Sequence, residues 1–182
     1  MILFNLHIYL NKSTMRIAIT GKMCSGKTYI ADYLIEKYNL TKFSFASEVK
    51  NIASELFNME NKDRKLLQTV ADKMKDIDKD VWVKYTLKLI GEKQNVVIDD
   101  LRFKNELKYL RKNGFITIRI NISNEEQESR LSKKYPDTYN EHLSRRNHNS
   151  EIDIENLEVD YEFNSDENLI NNINKLLNDL KS

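Results

Sequence analysis

Short apolar runs alternate with longer amphipathic segments along most of the chain. Residues 15–20 form a β-rich apolar run, and the segment from Lys27 to Lys37 places Ile30, Leu34 and Ile35 on one helical stripe. The same analysis predicts further strands at 42–45, 95–100, 115–122 and 161–163. Further helices are predicted at 46–57, 64–74, 80–90, 104–113, 124–133 and 169–180.

Strands that alternate with helices at these intervals predict an α/β fold with a parallel sheet and helices on both faces. The run NVVIDD at 95–100 stays apolar until its two aspartates, as is typical of a strand covered on both sides. The polar span of about 135–158 is too long for an ordinary connection. It is predicted to be a lid, and a disordered surface loop is the alternative.

Composition limits the classes of partner. A chain of 182 residues favours one domain with its own core, here assigned to 15–182. Lys and Arg number 29 against 28 for Asp and Glu, so the net charge of +1 gives no general attraction to nucleic acid or membranes. The single cysteine excludes an intramolecular disulfide and favours a cytoplasmic protein, in the host cytoplasm if the source is viral.

The first fourteen residues precede the first strand of the predicted domain. The opening MILFNLHIYL carries Asn5 and His7 and has neither a basic start nor a small-residue cleavage site, so it predicts no signal peptide or membrane span. Residues 1–14 are interpreted as an N-terminal extension before a second possible start at Met15. The abundance of Lys, Asn and Ile is compatible with the AT-rich genome of a large virus or a parasite.

A phosphate-binding motif lies in AITGKMCSGKT, residues 18–28, between a predicted strand and a predicted helix. Its glycines, lysine and threonine fit G-x-x-x-x-G-K-[ST], whose backbone N–H groups curl around phosphate oxygens. Lys27 is predicted to reach the β and γ phosphates of ATP, and Thr28 to coordinate Mg²⁺. The predicted ATP-binding residues are Gly21, Lys22, Cys24, Ser25, Gly26, Lys27 and Thr28.

A second candidate cluster follows the strand at 95–100. Asp99 and Asp100 lie at its carboxyl end, where open α/β sheets bind ligands, and Arg102 comes two residues later. Asp100 is predicted to act on Mg²⁺ or the acceptor, and Arg102 to bind the acceptor phosphate. The alternative is that one aspartate caps the following helix. Since no NKxD element follows a strand, a small kinase is favoured over a GTPase switch.

Three segments together resemble the deoxynucleoside monophosphate kinases of phages and large DNA viruses. They are LQTVADKMKDIDKDVWVKYTLKLI, NVVIDDLRFKNELKYLRKNGFITIRI and NHNSEID, which carry a Leu-Gln pair, a Trp-Val helix, Asp-x-Arg and His-x-Ser/Thr-Glu. The resemblance spans roughly residues 15–180 and implies a three-layer P-loop NTPase fold. It also implies transfer of the γ-phosphate of ATP, with Mg²⁺, to a deoxynucleoside monophosphate.

The resemblance implies roles for individual side chains. The acceptor region falls at about 44–90, and arginines converge on the transferring phosphoryl group when the lid closes. The implied catalytic residues are Lys27, Asp100, Arg102, Arg130, Arg145 and Arg146. The implied acceptor-binding residues are Lys50, Gln68, Trp82, Arg102, His148, Ser150 and Glu151. From the residues alone, the helical spacing of Trp82 favours a core position over a base-stacking role.

Other acceptors and one other class of function stay open. A kinase for phosphomevalonate or dephospho-coenzyme A fits much of the same pattern. A non-catalytic nucleotide-binding module with an ATP-responsive lid is the alternative from a different class. The base, the sugar and the oligomeric state, including a homodimer, are also open at this stage.

Overall fold

The computed structural model describes residues 14–144 and 153–180, so the predicted extension lies outside the described residues except for its last residue. Within these ranges the strands are β1 (Met15–Thr20), β2 (Thr41–Phe43), β3 (Asn95–Ile98), β4 (Ile116–Asn121) and β5 (Tyr161–Asn164). The helices are α1 (Lys27–Tyr38), α2 (Phe45–Phe57), α3 (Arg64–Ile77), α4 (Val81–Ile90), α5 (Lys104–Lys112), α6 (Asn124–Lys134), α7 (Tyr139–Ser144) and α8 (Leu169–Asp179). No helix in these ranges combines the length and apolarity needed to cross a membrane.

All strands of the sheet run parallel, in the order β2-β3-β1-β4-β5. The central strand β1 pairs with both neighbours, with Ile17 opposite Val97 on one side and Ile116 on the other. The carboxyl ends therefore meet at one edge, and the loop after β1 lies between the ends of β3 and β4. This edge is where ligands bind in open α/β sheets.

Each face of the sheet has its own apolar core. Side chains alternate along a strand, so β1 directs Ile17 and Ile19 toward α1 and α8, and Ala18 toward α4 and α5. The first core contains Ile17, Ile19, Ile30, Leu34, Val97, Ile118, Ile173 and Leu177. The second contains Ala18, Phe45, Val83, Ile90, Ile98, Leu101, Leu107 and Leu110. The prediction of a three-layer α/β P-loop NTPase fold is confirmed.

A smaller apolar cluster joins α2, α3 and α4. Its buried members are Val49, Ala53, Val70 and Trp82. The region of about 44–90, predicted from the resemblance to bind the acceptor, thus has a core of its own beside the main sheet. Its acceptor role stays a prediction.

The boundary between β2 and α2 differs from the prediction of a strand over 42–45. The strand ends at Phe43, and Phe45 already belongs to α2. The reason is local, because the Ser44 hydroxyl accepts a hydrogen bond from the Ser47 backbone N–H at 3.3 Å and caps the helix. The apolar side chain of Phe45 is then buried by the helix rather than by the sheet.

In the first part of the predicted lid, residues 135–144, two side chains are in contact through an aromatic stack. After α6 a 3₁₀ turn (Pro136–Thr138) leads into α7, and the ring of His142 stacks on Tyr135 with centroids 4.1 Å apart. Residues 145–152 lie outside the described residues, so the lid itself stays a prediction.

Candidate functional site

The loop between β1 and α1 requires glycine at its first position. Gly21 has a φ of 147°, and a Cβ there would lie 2.5 Å from the Ile120 carbonyl oxygen and 2.7 Å from Ser25 Oγ. At the other end, Gly26 adopts a φ of 97° and caps α1 in the left-handed region. At Gly21 there is no room for a side chain, whereas at Gly26 a Cβ would meet only Ser165 Oγ at 3.6 Å and the positive φ is what favours glycine.

The ammonium of Lys27 lies against this loop. Its Nζ donates to the carbonyl oxygens of Gly21 at 2.6 Å and Lys22 at 2.7 Å. The loop thus has a positive charge beside the N-terminus of α1, whose partial positive charge adds to it. This combination is suited to binding phosphate.

Two side chains from α6 hold the tip of the loop by its carbonyl groups. Gln127, which is 1% exposed, donates from Nε2 to the Met23 carbonyl at 2.9 Å. Arg130 donates from Nη1 to the Cys24 carbonyl at 3.2 Å and to Ser165 Oγ at 2.7 Å. Arg130 is thus anchored to the loop. Its predicted contact with the transferring phosphoryl group stays a prediction. The sequence analysis missed Gln127, since its contact joins residues 104 positions apart.

A basic cleft adjoins the loop and the N-terminus of α1. It has a volume of about 450 Å³ and is lined by loop residues together with the cations Arg130, Lys133 and Lys134. The positions of these cations on successive turns of α6 give the cleft a positive wall. Such a cleft is suited to an anionic ligand that extends from the loop.

Asp99, rather than Asp100, is the aspartate at the phosphate-loop helix. The Thr28 hydroxyl donates to Asp99 Oδ2 at 3.2 Å, and Lys42 Nζ lies 2.7 Å from the same oxygen. Asp99 is 9% exposed. It follows Val97 by two positions and so faces the α1 side of the sheet.

Asp100 faces the other side and caps α2. Its carboxylate accepts hydrogen bonds from Ser44 Oγ at 2.8 Å and from the backbone N–H groups of Phe45 at 3.1 Å and Ala46 at 2.9 Å. Burial raises the pKa of Asp100, although these donors act in the opposite direction. Three donors from the start of α2 thus surround the Asp100 carboxylate, whereas Asp99 lies beside Thr28. The metal role of Asp100 stays a prediction.

The segment after Asp100 is fixed by backbone hydrogen bonds. The Leu101 N–H donates to the Ile19 carbonyl at 3.3 Å, which ties the connection to β1. The N–H groups of Arg102 and Phe103 donate to Glu106 Oε2 at 2.9 and 3.0 Å. Burial raises the pKa of Glu106 to about 7. The backbone of Arg102 is therefore held by hydrogen bonds at the same sheet edge as the phosphate loop.

The other residues implied by the resemblance differ in their exposure to solvent. Lys50 is exposed on α2, and Gln68 is exposed on α3, where its amide donates to Asp72 at 2.9 Å. Trp82 is 5% exposed and its indole N–H donates to the Ala71 carbonyl at 3.1 Å. The acceptor-binding role of Trp82 is therefore corrected to a core role. The remaining implied residues, outside the described ranges, are Arg145, Arg146, His148, Ser150 and Glu151.

The donor set at the loop fits magnesium. The Thr28 hydroxyl and an Asp99 carboxylate oxygen are hard oxygen donors 3.2 Å apart. Among residues 14–144 and 153–180, no group of three or more His, Cys, Asp or Glu side chains is arranged to hold a metal. Mg²⁺ commonly binds one or two protein oxygens together with substrate phosphates, so this pair suits a metal delivered with a nucleotide.

Comparison with known proteins identifies a family model and similar folds. Residues 17–161 match the family model described as AAA domain. An uncharacterized protein, ORF76, of Ictalurid herpesvirus 1 (strain Auburn) is 28% identical over 138 residues, covering 69% of this chain and 57% of that protein. The chain thus spans little more than half the length of this curated relative.

Solved structures with the same fold include small-molecule kinases. A crystal structure of an uncharacterized protein from Eubacterium ventriosum has a TM-score of 0.58 at 14% identity, covering 92% of this chain and 98% of that one. Shikimate kinase from Bacteroides thetaiotaomicron has a TM-score of 0.53 at 17% identity, with 93% and 99% covered. A gluconokinase from Sinorhizobium meliloti 1021 has a TM-score of 0.53 at 12% identity, with 92% and 91% covered. At these identities the likeness is one of fold.

Proposed function

The chain belongs to the AAA domain family, and from that premise we propose that it is a kinase for a small phosphorylated acceptor. The proposed reaction transfers the γ-phosphate of ATP to a deoxynucleoside monophosphate and yields the diphosphate. The observation that carries the proposal is that the candidate groups lie together at one edge of the sheet. The phosphate loop, the Thr28–Asp99 oxygen pair and the backbone of Arg102 all lie at the carboxyl ends of β1 and β3.

The donor side of the proposed site uses the loop and α1. The backbone N–H groups of 21–28 and the Lys27 ammonium bind the phosphates of ATP, while Gln127 and Arg130 hold the loop in shape from behind. Thr28 and Asp99 supply oxygen ligands for Mg²⁺. When bound, Mg²⁺ neutralises charge on the phosphate oxygens.

The acceptor side of the proposed site uses Arg102. A guanidinium can bind the acceptor phosphate with two parallel hydrogen bonds, which fixes its orientation as well as its position. The capping of α2 by Asp100 and of α5 by Glu106 keeps the surrounding backbone rigid. Positioning of the two phosphates supplies much of the catalysis in phosphoryl transfer, since the protein performs little covalent chemistry.

The acceptor identity rests on the resemblance described above. Members of the family that it points to share the Asp-x-Arg arrangement after a buried strand, which here is Asp100 to Arg102 at the end of β3. The similar folds of shikimate kinase and gluconokinase support a small acceptor in general. Localisation in the cytoplasm and the absence of nucleic-acid and membrane partners belong to the same proposal.

An ADP-release assay tests the proposal. The purified protein is supplied with Mg²⁺, ATP and, in turn, deoxynucleoside monophosphates, ribonucleoside monophosphates, phosphomevalonate and dephospho-coenzyme A. We expect acceptor-dependent ADP release with a deoxynucleoside monophosphate, reduced about 100-fold or more in a folded Lys27→Ala variant. Lys175→Ala, on the exposed face of α8, is the matched control for charge removal.

The possible outcomes separate the alternatives. Release of ADP only with phosphomevalonate or dephospho-coenzyme A would keep the kinase and reject the nucleotide acceptor. Tight ATP binding without ADP release for any acceptor would favour the non-catalytic module. Equal activity in the Lys27→Ala variant and the wild type would reject the phosphate-loop assignment.

A further inference from the structure

Lys42, the middle residue of β2, lies between two carboxylates. Its Nζ is 2.7 Å from Asp99 Oδ2 and 3.7 Å from Asp32 Oδ1. The two acidic side chains differ in environment, since that of Asp99 is 10% exposed and that of Asp32 is 65% exposed. Lys42 therefore contacts one buried and one solvated carboxylate.

The contact with Asp99 uses the oxygen that also faces Thr28. Asp99 Oδ2 accepts from the Thr28 hydroxyl and contacts the Lys42 ammonium. A buried carboxylate is stable only when hydrogen bonds or an opposite charge compensate for its lost hydration. The Lys42 ammonium supplies that charge at the oxygen proposed above as a magnesium ligand.

We propose that Lys42 is a positioning residue that competes with Mg²⁺ for Asp99 and moves to Asp32 when the metal binds. The inference rests on the proposed Mg²⁺ and ATP site. Two cations at one carboxylate oxygen repel each other strongly in a partly buried environment. Asp32 offers the displaced ammonium a partner within a short movement, since the two are already 3.7 Å apart.

Such competition has two consequences. In the metal-free protein Lys42 stabilises the buried charge of Asp99. With Mg²⁺ present, the exchange makes the metal bind more weakly than it would to a free carboxylate. Metal binding would then depend on the nucleotide phosphates, which supply the remaining ligands.

Magnesium titration of nucleotide binding tests the proposal without measuring turnover. A fluorescent, non-hydrolysable ATP analogue is held at fixed concentration while Mg²⁺ is raised, and the half-saturating Mg²⁺ concentration is compared among variants. Lys42→Met keeps the length of the side chain and removes its charge, and we expect it to lower the half-saturating concentration about fivefold. Lys42→Arg keeps the charge and is expected to stay near the wild type. Lys175→Met, on α8, is the control for a general change of charge.

Asp32 is tested in a double-mutant cycle. Asp32→Asn removes the second partner of Lys42, and we expect it to raise the half-saturating Mg²⁺ concentration about twofold. In the Lys42→Met background the same change should have little effect, because the displaced ammonium is gone. An equal effect in both backgrounds would mean that Asp32 acts through its charge alone, and would overturn the proposed movement.

The inference and the proposed function fail in different ways. If the wild type requires Mg²⁺ for nucleotide binding but Lys42→Met requires as much or more, Lys42 is not a competitor and only the inference is overturned. A defect in folding would weaken nucleotide binding, so it cannot produce a lower half-saturating Mg²⁺ concentration. If the wild type shows no Mg²⁺ response at all, the proposed site and the inference are both rejected.

Discussion

Replacing Gly21 with alanine tests the close approach on which the shape of the phosphate loop depends. The added Cβ would lie 2.5 Å from the Ile120 carbonyl oxygen and 2.7 Å from Ser25 Oγ, well inside ordinary contact distance. The φ of 147° adds backbone strain for any residue with a side chain. Strain of this kind costs about 1–3 kcal/mol and overpacking costs about 1–3 kcal/mol more.

The expected loss is therefore about 4 kcal/mol in the free energy of unfolding. For a domain of this size that corresponds to a fall in Tm of about 12 °C. The assay is thermal unfolding followed by circular dichroism, with and without a nucleotide. Since the loop must shift to admit the Cβ, we also expect the stabilisation by nucleotide to be lost.

Gly114 provides the matched control. It also has a positive φ, of 73°, but a Cβ there meets nothing within 4 Å. Gly114→Ala should therefore cost only the backbone strain, about 1–2 kcal/mol, or about 5 °C in Tm. Adding Ser25→Ala to Gly21→Ala should recover only part of the loss, because the Ile120 carbonyl remains. Equal Tm values for Gly21→Ala and Gly114→Ala would refute the reasoning.

Three further predictions concern charged groups at the sheet edge. Asp99→Asn should raise the Mg²⁺ concentration needed for nucleotide binding. Asp100→Asn should leave that concentration unchanged and lower the free energy of unfolding by about 1–3 kcal/mol, because it weakens the α2 cap. The reverse result would favour Asp100 as the metal ligand. Arg102→Lys should raise the KM for the acceptor more than that for ATP, since an ammonium cannot form the two-bond fork, and steady-state kinetics with each substrate varied would show it. The pKa of Glu106 is raised to about 7 by burial, so the folded state holds its proton longer than the unfolded state. Stability should accordingly fall by on the order of 3 kcal/mol as pH rises from about 4.5 to 7, and Glu106→Gln, measured by denaturant unfolding, should flatten that dependence; an unchanged slope would contradict it.

The fold was readable from the sequence because its determinants are local. Apolar runs and helical stripes specify each element, and the alternation of strands with helices specifies a parallel sheet. The phosphate loop was readable for the same reason, since Gly21 and Gly26 lie a few residues apart. The misplaced boundary at Phe45 arose because an apolar residue fits a strand and a capped helix equally well.

The assignment of Asp99 and Asp100 depends on which face each one meets. Alternation along β3 places them on opposite sides, but sequence alone does not say which side α1 covers. The roles of Lys42 and Gln127 depend on contacts with residues far along the chain, Asp99 and Met23. No periodic pattern encodes such contacts, so these residues were not recognised in advance.

The anchoring of the phosphate loop from α6 has a consequence for the growing chain on the ribosome. The loop is complete in sequence by Thr28, but Gln127 and Arg130, which hold its carbonyl groups, follow 104 and 106 positions after their partners. Ser165, which accepts a hydrogen bond from Arg130, is synthesised later still. A chain released early would therefore contain the whole motif but lack the side chains that fix its conformation. Nucleotide binding during synthesis should accordingly begin only after the C-terminal half has been made.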